Sequence, residues 1–274
     1  MISFPNCKIN LGLHIIRKRE DDYHDLETVF YPISFTDVVE IIDPGVLHLE
    51  GVAHLVFTGL PVDVTDNLCI KAYNLLKQDL PQLPAIKMHL HKAIPLGAGL
   101  GGGSSDAAFT LQLLNEKFKL NLKTEQLLDY ALRLGSDCPF FIINKPCFAT
   151  GRGEILQTIN IDLTSYKLLI INPGIHIDTK WAFSKITPKE PKTSIKEIIT
   201  QSLETWKEQL KNDFEVPVFE EYPEIGELKI DLYQQGAVYA SMSGSGSTVY
   251  GIFKKDAAID NSKWNNYFCK TIDL

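Results

Sequence analysis

The sequence predicts an α+β fold of two domains, residues 1–158 and 159–274, on three observations. The joint between a strand and a helix at Pro95–Ala108, P-L-G-A-G-L-G-G-G-S-S-D-A-A, holds more glycine than an ordinary connection. After a closing strand and turn at Phe148–Gly153, the apolar pattern restarts at Lys167–Asn172, a compact buried strand that Pro173-Gly174 breaks. From there the order strand, helices, strand, strand, weak helix and short final strand suits an antiparallel sheet with helices packed on it.

Along the chain, Cys7, Ile9, Leu11, Leu13 and Ile15 alternate with Lys8, Asn10, Gly12 and His14, the period-two pattern of a strand with one apolar face. Lys8 and Asn10 therefore project together from the other face, and pattern alone leaves Lys8 as a solvated lysine. Arg17–Asp22 reads as a charged turn leading to Tyr23-His24, which pattern alone assigns to loop surface. Val38–Ile42, His48–Phe57 and Ile86–Ile94 read as strands. Thr65 or Asp66 caps a helix that carries Leu68, Ala72, Leu75 and Leu76, with Pro81 beyond its end. Ser104–Phe118 forms a helix burying Ala107, Leu111, Leu114 and Phe118. Its companion, Thr124–Leu134, presents Leu127, Leu128, Ala131 and Leu134 and ends at the cap Gly135.

Gly135-Ser136-Asp137-Cys138-Pro139-Phe140-Phe141 sets an acid between a helix end and an apolar run, a place that more often holds a capping or turn residue than a catalyst. In the second half, Thr187–Lys192 reads as a mobile segment. One long amphipathic helix carries Ile195, Ile198, Ile199, Trp206 and Leu210. A shorter one carries Ile225, Leu228 and Leu232 and ends near Gly236. Strands at Ala237–Met242 and Thr248–Phe253 are joined through Ser243-Gly244-Ser245-Gly246-Ser247.

Composition bounds the chemistry. A chain of 274 residues with 45% apolar and 22% charged residues is an ordinary soluble protein with ample core. A net charge of −7 speaks against a nucleic-acid partner, so positive potential for any polyanionic ligand has to be local. Five cysteines, at 7, 69, 138, 147 and 269, make an odd count without a C-x-x-C pair. Free, mostly buried thiols are expected in place of disulfides or zinc. The start M-I-S-F-P-N-C-K lacks a basic segment followed by an apolar one, and no apolar run reaches membrane-spanning length. A cytoplasmic enzyme with no membrane partner is the expectation.

Five of the seven residues Gly97–Gly103 are glycine. Each costs about 0.5–1 kcal/mol against alanine in regular structure, so roughly 2.5–5 kcal/mol is at stake. Bare backbone amides converging on an anion at a helix start offset such a cost, and a phosphate chain is the expected ligand. Gly97, Gly99 and Gly102 satisfy G-x-G-x-x-G, but the next helix runs into a second helix instead of a parallel strand ending in an acid. Gly103 occupies the lysine position of a Walker A loop, which excludes that loop in its usual form.

Pro95, Gly97, Gly99, Leu100, Gly101, Ser104 and Ser105 resemble the loop P-x-G-x-G-L-G-(G/S)-S-(S/A) of the GHMP kinases (galactokinase, homoserine kinase, mevalonate kinase and relatives), with one extra glycine. Lys8-Ile9-Asn10-Leu11, Tyr23-His24, this loop, Gly135–Phe141, Asn172-Pro173-Gly174 and Met242–Gly246 occur in the order and approximate spacing of one branch of that family. The resemblance spans residues 5–253. It implies the two-domain GHMP kinase architecture, with an N-terminal ribosomal-protein-S5-domain-2-like domain and a C-terminal ferredoxin-like antiparallel α/β sandwich. The implied activity is ATP-dependent phosphorylation of the tertiary 2-hydroxyl of a cytidine-diphosphate-linked methylerythritol, in non-mevalonate isoprenoid biosynthesis, with Mg2+ accompanying ATP.

Carried onto matching positions, Asp137 resembles the general base, and Lys8 the cation that holds it ionised and orients the hydroxyl. Asn10 would bond the methylerythritol portion or its diphosphate. Tyr23 would stack on the cytosine, His24 bond its polar edge, and Phe183, following Thr179, complete the sandwich. Pro95-Leu96-Gly97-Ala98-Gly99-Leu100-Gly101-Gly102-Gly103-Ser104-Ser105 would cradle the ATP phosphates, with Ser105 a ligand to magnesium. Gly244-Ser245-Gly246 would close over the substrate, with Thr179 also on the substrate side. Three places depart from the family: Cys7 for alanine, Asp22 for the glycine before Tyr-His, and Ser136-Asp137-Cys138 for Ala-Asp-Val. None removes a functional group, but Asp22 puts an L-residue where glycine adopts positive φ. The nearest rivals are a GHMP kinase for homoserine or mevalonate, which has no base to stack on Tyr23 and Phe183, and a GHMP-fold protein that binds without turnover.

Overall fold

A computed structural model describes residues 1–42, 53–63 and 66–274. Residues 48–52 of the expected strand His48–Phe57, and the expected cap Thr65, lie outside the described residues.

The chain runs β1 (Ile2–Ser3), β2 (Asn6–Lys18), β3 (His24–Thr36), β4 (Val38–Ile42), β5 (Ala53–Gly59), α1 (Leu68–Asp79), β6 (Ile86–Lys92), α2 (Gly102–Lys117), α3 (Thr124–Leu134) and α4 (Cys138–Ile143). It continues through β7 (Cys147–Thr150), β8 (Ile155–Thr158), β9 (Tyr166–Asn172), α5 (Thr179–Ser184), α6 (Ile195–Ile198), α7 (Leu203–Gln209), α8 (Glu215–Glu221) and α9 (Pro223–Gln234). It closes with β10 (Tyr239–Met242), β11 (Val249–Lys254), a 3₁₀ turn at Asn261–Trp264 and β12 (Phe268–Asp273). These elements form two compact units that interleave along the chain. Met1–Cys7, Phe35–Leu96 and Gly101–Asn144 make the first; Lys8–Ser34, Gly97–Leu100 and Lys145–Leu274 make the second. Residue 158, where the sequence places its boundary, falls inside the second unit. The reason is pairing: β2 and β3 share a sheet with β7 and β8, which come later in the chain.

In the first unit the sheet order is β1-β4-β6-β5, antiparallel except for the parallel β5–β6 pair. Ile86, Met88 and Leu90 alternate inward along β6, and Cys69, Ala72, Tyr73 and Leu76 of α1 and Ala107, Leu111 and Leu114 of α2 are buried. Asn67 caps α1, its Oδ1 accepting from Cys69 N at 2.9 Å, while Asp66 pairs with Lys71 at 2.5 Å. The expected cap thus moves one residue on, to a side chain that reaches the free amide. Gly101, at φ +69°, turns the chain into α2 two residues earlier than expected.

In the second unit β10-β11-β9-β12 is fully antiparallel. Counted within this unit's last sheet, that is the strand order 2-3-1-4 of a ferredoxin-like sandwich. Its core joins Leu169, Ile171 and Val249 of the sheet to Ile225, Leu228 and Leu232 of α9. The single long helix expected from Ile195 to Leu210 is two helices, α6 and α7. Thr200 Oγ1 donates back to Glu197 O at 2.8 Å, and Gln201 N closes a tight turn on Ile198 O at 3.0 Å. Local bonds of this kind compete with the helical ladder. All five apolar residues remain buried across the break.

Candidate active site

The glycine loop winds through alternating left-handed residues: φ is +64° at Gly97, +78° at Gly99 and +69° at Gly101. Gly99 is required twice over, because besides its φ an added Cβ would lie 1.9 Å from Ser243 O. By contrast Gly103, the extra glycine, has room for a side chain, with Leu68 Cδ1 nearest at 3.8 Å. The loop delivers the chain to the start of the 16-residue α2, where the N-cap Gly101 offers no side chain to the first amides. A bare N-terminus with a dipole behind it favours an anion.

In the second unit, β2 and the serine-glycine joint build a cluster around Lys8 and Asn10. Lys8 is only 3% exposed, so the face that pattern alone assigned to solvent is covered. Its Nζ donates to Asn10 Oδ1 at 2.5 Å and lies 4.9 Å from the centroid of the Phe30 ring. Asn10 Nδ2 donates to Thr28 Oγ1 at 2.9 Å, and Thr28 Oγ1 donates to Gly12 O at 2.5 Å. This chain of donors keeps the Asn10 carbonyl oxygen turned to the ammonium. Asn10 N donates to Ser243 Oγ at 3.2 Å, and Ser243 Oγ donates to Gly99 O at 2.8 Å. Tyr250 OH donates to Asn10 O at 2.7 Å, and burial holds that phenol well above its ordinary pKa, so it stays a donor. Gly244, at φ +59°, comes so close that an added Cβ would stand 3.3 Å from Asn10 Oδ1. Thr179 and Ser245 bring their hydroxyls to 3.5 Å.

The aromatic residues gather at the turn between β2 and β3. Asp22 does adopt φ +62°, a conformation that aspartate tolerates better than most L-residues, and Arg19 N closes the turn on Tyr23 O at 2.8 Å. His24 stacks on Phe183, centroids 4.9 Å apart and planes 24° apart. Tyr23 is 54% exposed, with the Arg152 guanidinium 4.7 Å from its ring centroid. The ring stacked on Phe183 is therefore His24, where the sequence led us to expect Tyr23 and Phe183 to face a base. Burial, then nearby Lys18, lowers the His24 pKa, which leaves a neutral imidazole able to donate and accept.

In the first unit, Asp137 occupies the N-cap position of α4 with Pro139 in the first turn, yet its side chain makes no cap hydrogen bond. Ser105, in the first turn of α2, has a buried Oγ without a hydrogen-bond partner among the described residues. Beside it lies a buried ionic cluster. Lys92 Nζ meets Asp106 Oδ2 at 2.7 Å and also donates to Asp37 Oδ2. Asp37 Oδ1 accepts from Ala93 N at 2.6 Å and Ile94 N at 2.8 Å. The cluster joins the end of β6 to the start of α2, the two flanks of the glycine loop.

Burial, assisted by Asp37, pushes the Asp106 carboxyl up to about 7 against the pull of Lys92. Folded Asp106 thus keeps its proton at pH values where the unfolded chain, titrating near 3.8, has released it. The folded state binds more protons in that window, so this group's contribution to stability is present below about pH 4 and is lost as pH rises through about 7. For Asp106→Asn, which has no such proton, thermal unfolding of the nucleotide-free protein should depend less on pH between 4 and 7. An unchanged slope would contradict this.

Sequence reasoning missed Ser243, which touches both Asn10 and Gly99, and Arg152 over Tyr23. The serine-glycine run was the signal for the first; nothing local marked the second. Thr187–Lys192 is irregular, tied to β2 where Lys189 N donates to Ile15 O at 2.9 Å. Together with His14 and Asp213 its residues Lys189, Glu190, Pro191 and Lys192 line a cavity of about 330 Å³. The five cysteines are all thiols outside disulfides, four of them buried, and burial raises the Cys69 and Cys138 thiols to about 12. Among the described residues no helix is long and apolar enough to cross a membrane, and no three His, Cys, Asp or Glu side chains could hold a metal ion.

Comparison with known proteins matches residues 67–145 to the GHMP kinases N terminal domain and residues 194–267 to GHMP kinases C terminal. A 4-diphosphocytidyl-2-C-methyl-D-erythritol kinase from Bacteroides thetaiotaomicron is 52% identical over 270 residues, 98% of each chain. A relative of the same name from Cytophaga hutchinsonii is 49% identical over 254 residues, 92% of each chain. A crystal structure of 4-(cytidine 5'-diphospho)-2C-methyl-D-erythritol kinase superposes over 100% of both chains with TM-score 0.82 at 29% identity.

Proposed function

The chain belongs to the GHMP kinases, with their two-domain α+β fold, and from that membership we infer a kinase that uses ATP to phosphorylate the 2-hydroxyl of 4-diphosphocytidyl-2-C-methyl-D-erythritol. The products are the 2-phosphate and ADP, a step of non-mevalonate isoprenoid biosynthesis. The observation that carries this reading is the 52% identity to a relative of that name over nearly the whole of both chains. We assign the enzyme to the cytoplasm.

In this reading the substrate oxygen forms a bond to the γ-phosphorus as the bond from that phosphorus to the β–γ bridging oxygen breaks, and the hydroxyl proton passes to Asp137. A carboxylate is a weak base toward an alcohol, so the proton moves late, as the hydroxyl acidifies. Phosphoryl transfer asks mainly for positioning and charge stabilisation. Lys8 meets that requirement, since a buried ammonium fixed by Asn10 and Phe30 needs no reorganisation when charge develops near it. The loop Gly97–Ser105 holds the phosphates through its backbone. The orphaned Ser105 Oγ fits a magnesium ion that arrives with the nucleotide and is held mainly by phosphate oxygens. Such an ion would neutralise charge on the β- and γ-phosphates. His24 on Phe183 presents a neutral, polar-edged platform to the cytosine, with Tyr23 as the exposed second ring.

A coupled ADP-release assay with ATP and magnesium tests the reading, offering the cytidine-linked alcohol beside homoserine, mevalonate and galactose. Turnover only with the first is expected; turnover with another alcohol, or with none, rejects it. Phe183→Ala removes the platform, and base stacking contributes about 1–3 kcal/mol. Its KM for the cytidine substrate should rise roughly 5–150-fold while that for ATP stays put. Equal effects on both would discard the platform.

A further inference from the structure

We propose that Asn212 is a positioning residue for the transfer, its side-chain amide setting the Met242–Ser245 backbone that serves both the substrate and the glycine loop. The proposal rests on the kinase reading above. Asn212 is 2% exposed and uses its whole side chain. Nδ2 donates to Met242 O at 2.8 Å and to Gly244 O at 2.9 Å, and Oδ1 accepts from Phe214 N at 3.0 Å. Its backbone neighbours are tied to β2: Leu13 N donates to Lys211 O at 2.8 Å, and Asp213 N to Leu13 O at 2.9 Å. Asn212 is therefore referenced to the strand that carries Lys8 and Asn10.

One turn further on, Glu215 Oε1 accepts from Ser241 Oγ at 2.8 Å and Met242 N at 2.9 Å, while Oε2 pairs with Lys229 at 2.6 Å. Between them the two side chains take Met242 N, Met242 O and Gly244 O. Ser243, in the middle of that grip, bridges Asn10 N and Gly99 O. Gly244 then faces Asn10, and Ser245 faces Thr179. Two backbone carbonyls converge on one amide nitrogen, so the geometry requires two donors at that point. Asparagine supplies them; an aspartate of the same shape would meet both carbonyls with oxygen.

Asn212→Asp is the test, measured by steady-state kinetics and by amide hydrogen exchange at Ser243–Gly246. With wild-type circular dichroism, kcat/KM for the cytidine-linked alcohol should fall about 10²-fold, the cost of a displacement near 1 Å. Exchange in the turn should quicken. Asn212→Ser, which keeps one donor, should fall between the two. A folded Asn212→Asp with wild-type kcat/KM and exchange overturns the proposal, as does a folded Asn212→Ser at wild-type rate should the first variant not fold. Failure of both to fold also overturns it, making Asn212 a folding residue only. An inactive wild type in the same assay would instead reject the kinase reading.

Discussion

Asp137→Ala should lower turnover by about 10²–10⁴-fold, the range for a lost general base. Nucleotide affinity should be untouched, because nothing in this reading joins the Asp137 carboxylate to ATP. The side chain gives α4 no cap hydrogen bond, and circular dichroism and thermal unfolding of the variant tell a loss of fold from a loss of chemistry. Asp137→Asn, which keeps shape and removes basicity, should lose as much. Single-turnover rates, beside a titration with a fluorescent nucleotide, separate the two effects. Wild-type turnover in either variant would remove Asp137 from the reaction.

Lys92→Met should cause the largest loss of stability. Lys92 is the shared counter-charge of Asp37 and Asp106, and all three side chains are sealed from solvent. The two carboxylates raise its pKa despite burial, which opposes them. Breaking a buried pair by removing one partner costs about 3–5 kcal/mol, a large share of the roughly 5–15 kcal/mol that holds a domain together. The midpoint of thermal unfolding should fall by roughly 6–20 °C. Asp37 also carries the amides of Ala93 and Ile94, the last residues before the glycine loop, so KM for ATP should rise in the folded fraction. A Lys92→Met protein that melts like the wild type would refute the cluster's role.

The parts of the fold legible in the sequence are those that local patterns determine. Alternation from Cys7 to Ile15 reads β2 directly, the glycine run reads as a turn into α2, and helical spacing reads α1, α2, α3 and α9. The strand β3 escaped, because Asp25, Glu27 and Pro32 break its alternation. Glu27 is satisfied at long range, accepting from Ser194 Oγ and Ile195 N, both at 2.8 Å, and Asp25 nearby, its Oδ1 accepting from Arg19 at 2.9 Å. The burial of Lys8 was illegible for a related reason. Periodicity tells which face a residue joins, but not what later segment covers it. Asp137 became a candidate only through family resemblance, since an acid before an apolar run is usually a cap. Locally Asn212 reads only as a turn residue bonding Phe214 N, since the two carbonyls its amide holds lie about thirty residues on.

The interleaving of the two units has a consequence for how the protein is made. The Lys8 strand leaves the ribosome well before the hydroxyls that secure Asn10, which come 233 residues later in Ser243 and 240 later in Tyr250. At ordinary translation speeds of about 5–20 residues per second, that interval is roughly 10–50 s. A β2–β3 hairpin can form within microseconds and then waits, one face uncovered, for the rest of its sheet. Such a nascent chain carries an exposed apolar strand through that interval, the condition under which aggregation competes with folding and chaperones hold the outcome. The ordering also delays the Lys8 cluster: no ribosome-bound fragment ending before Tyr250 has it complete.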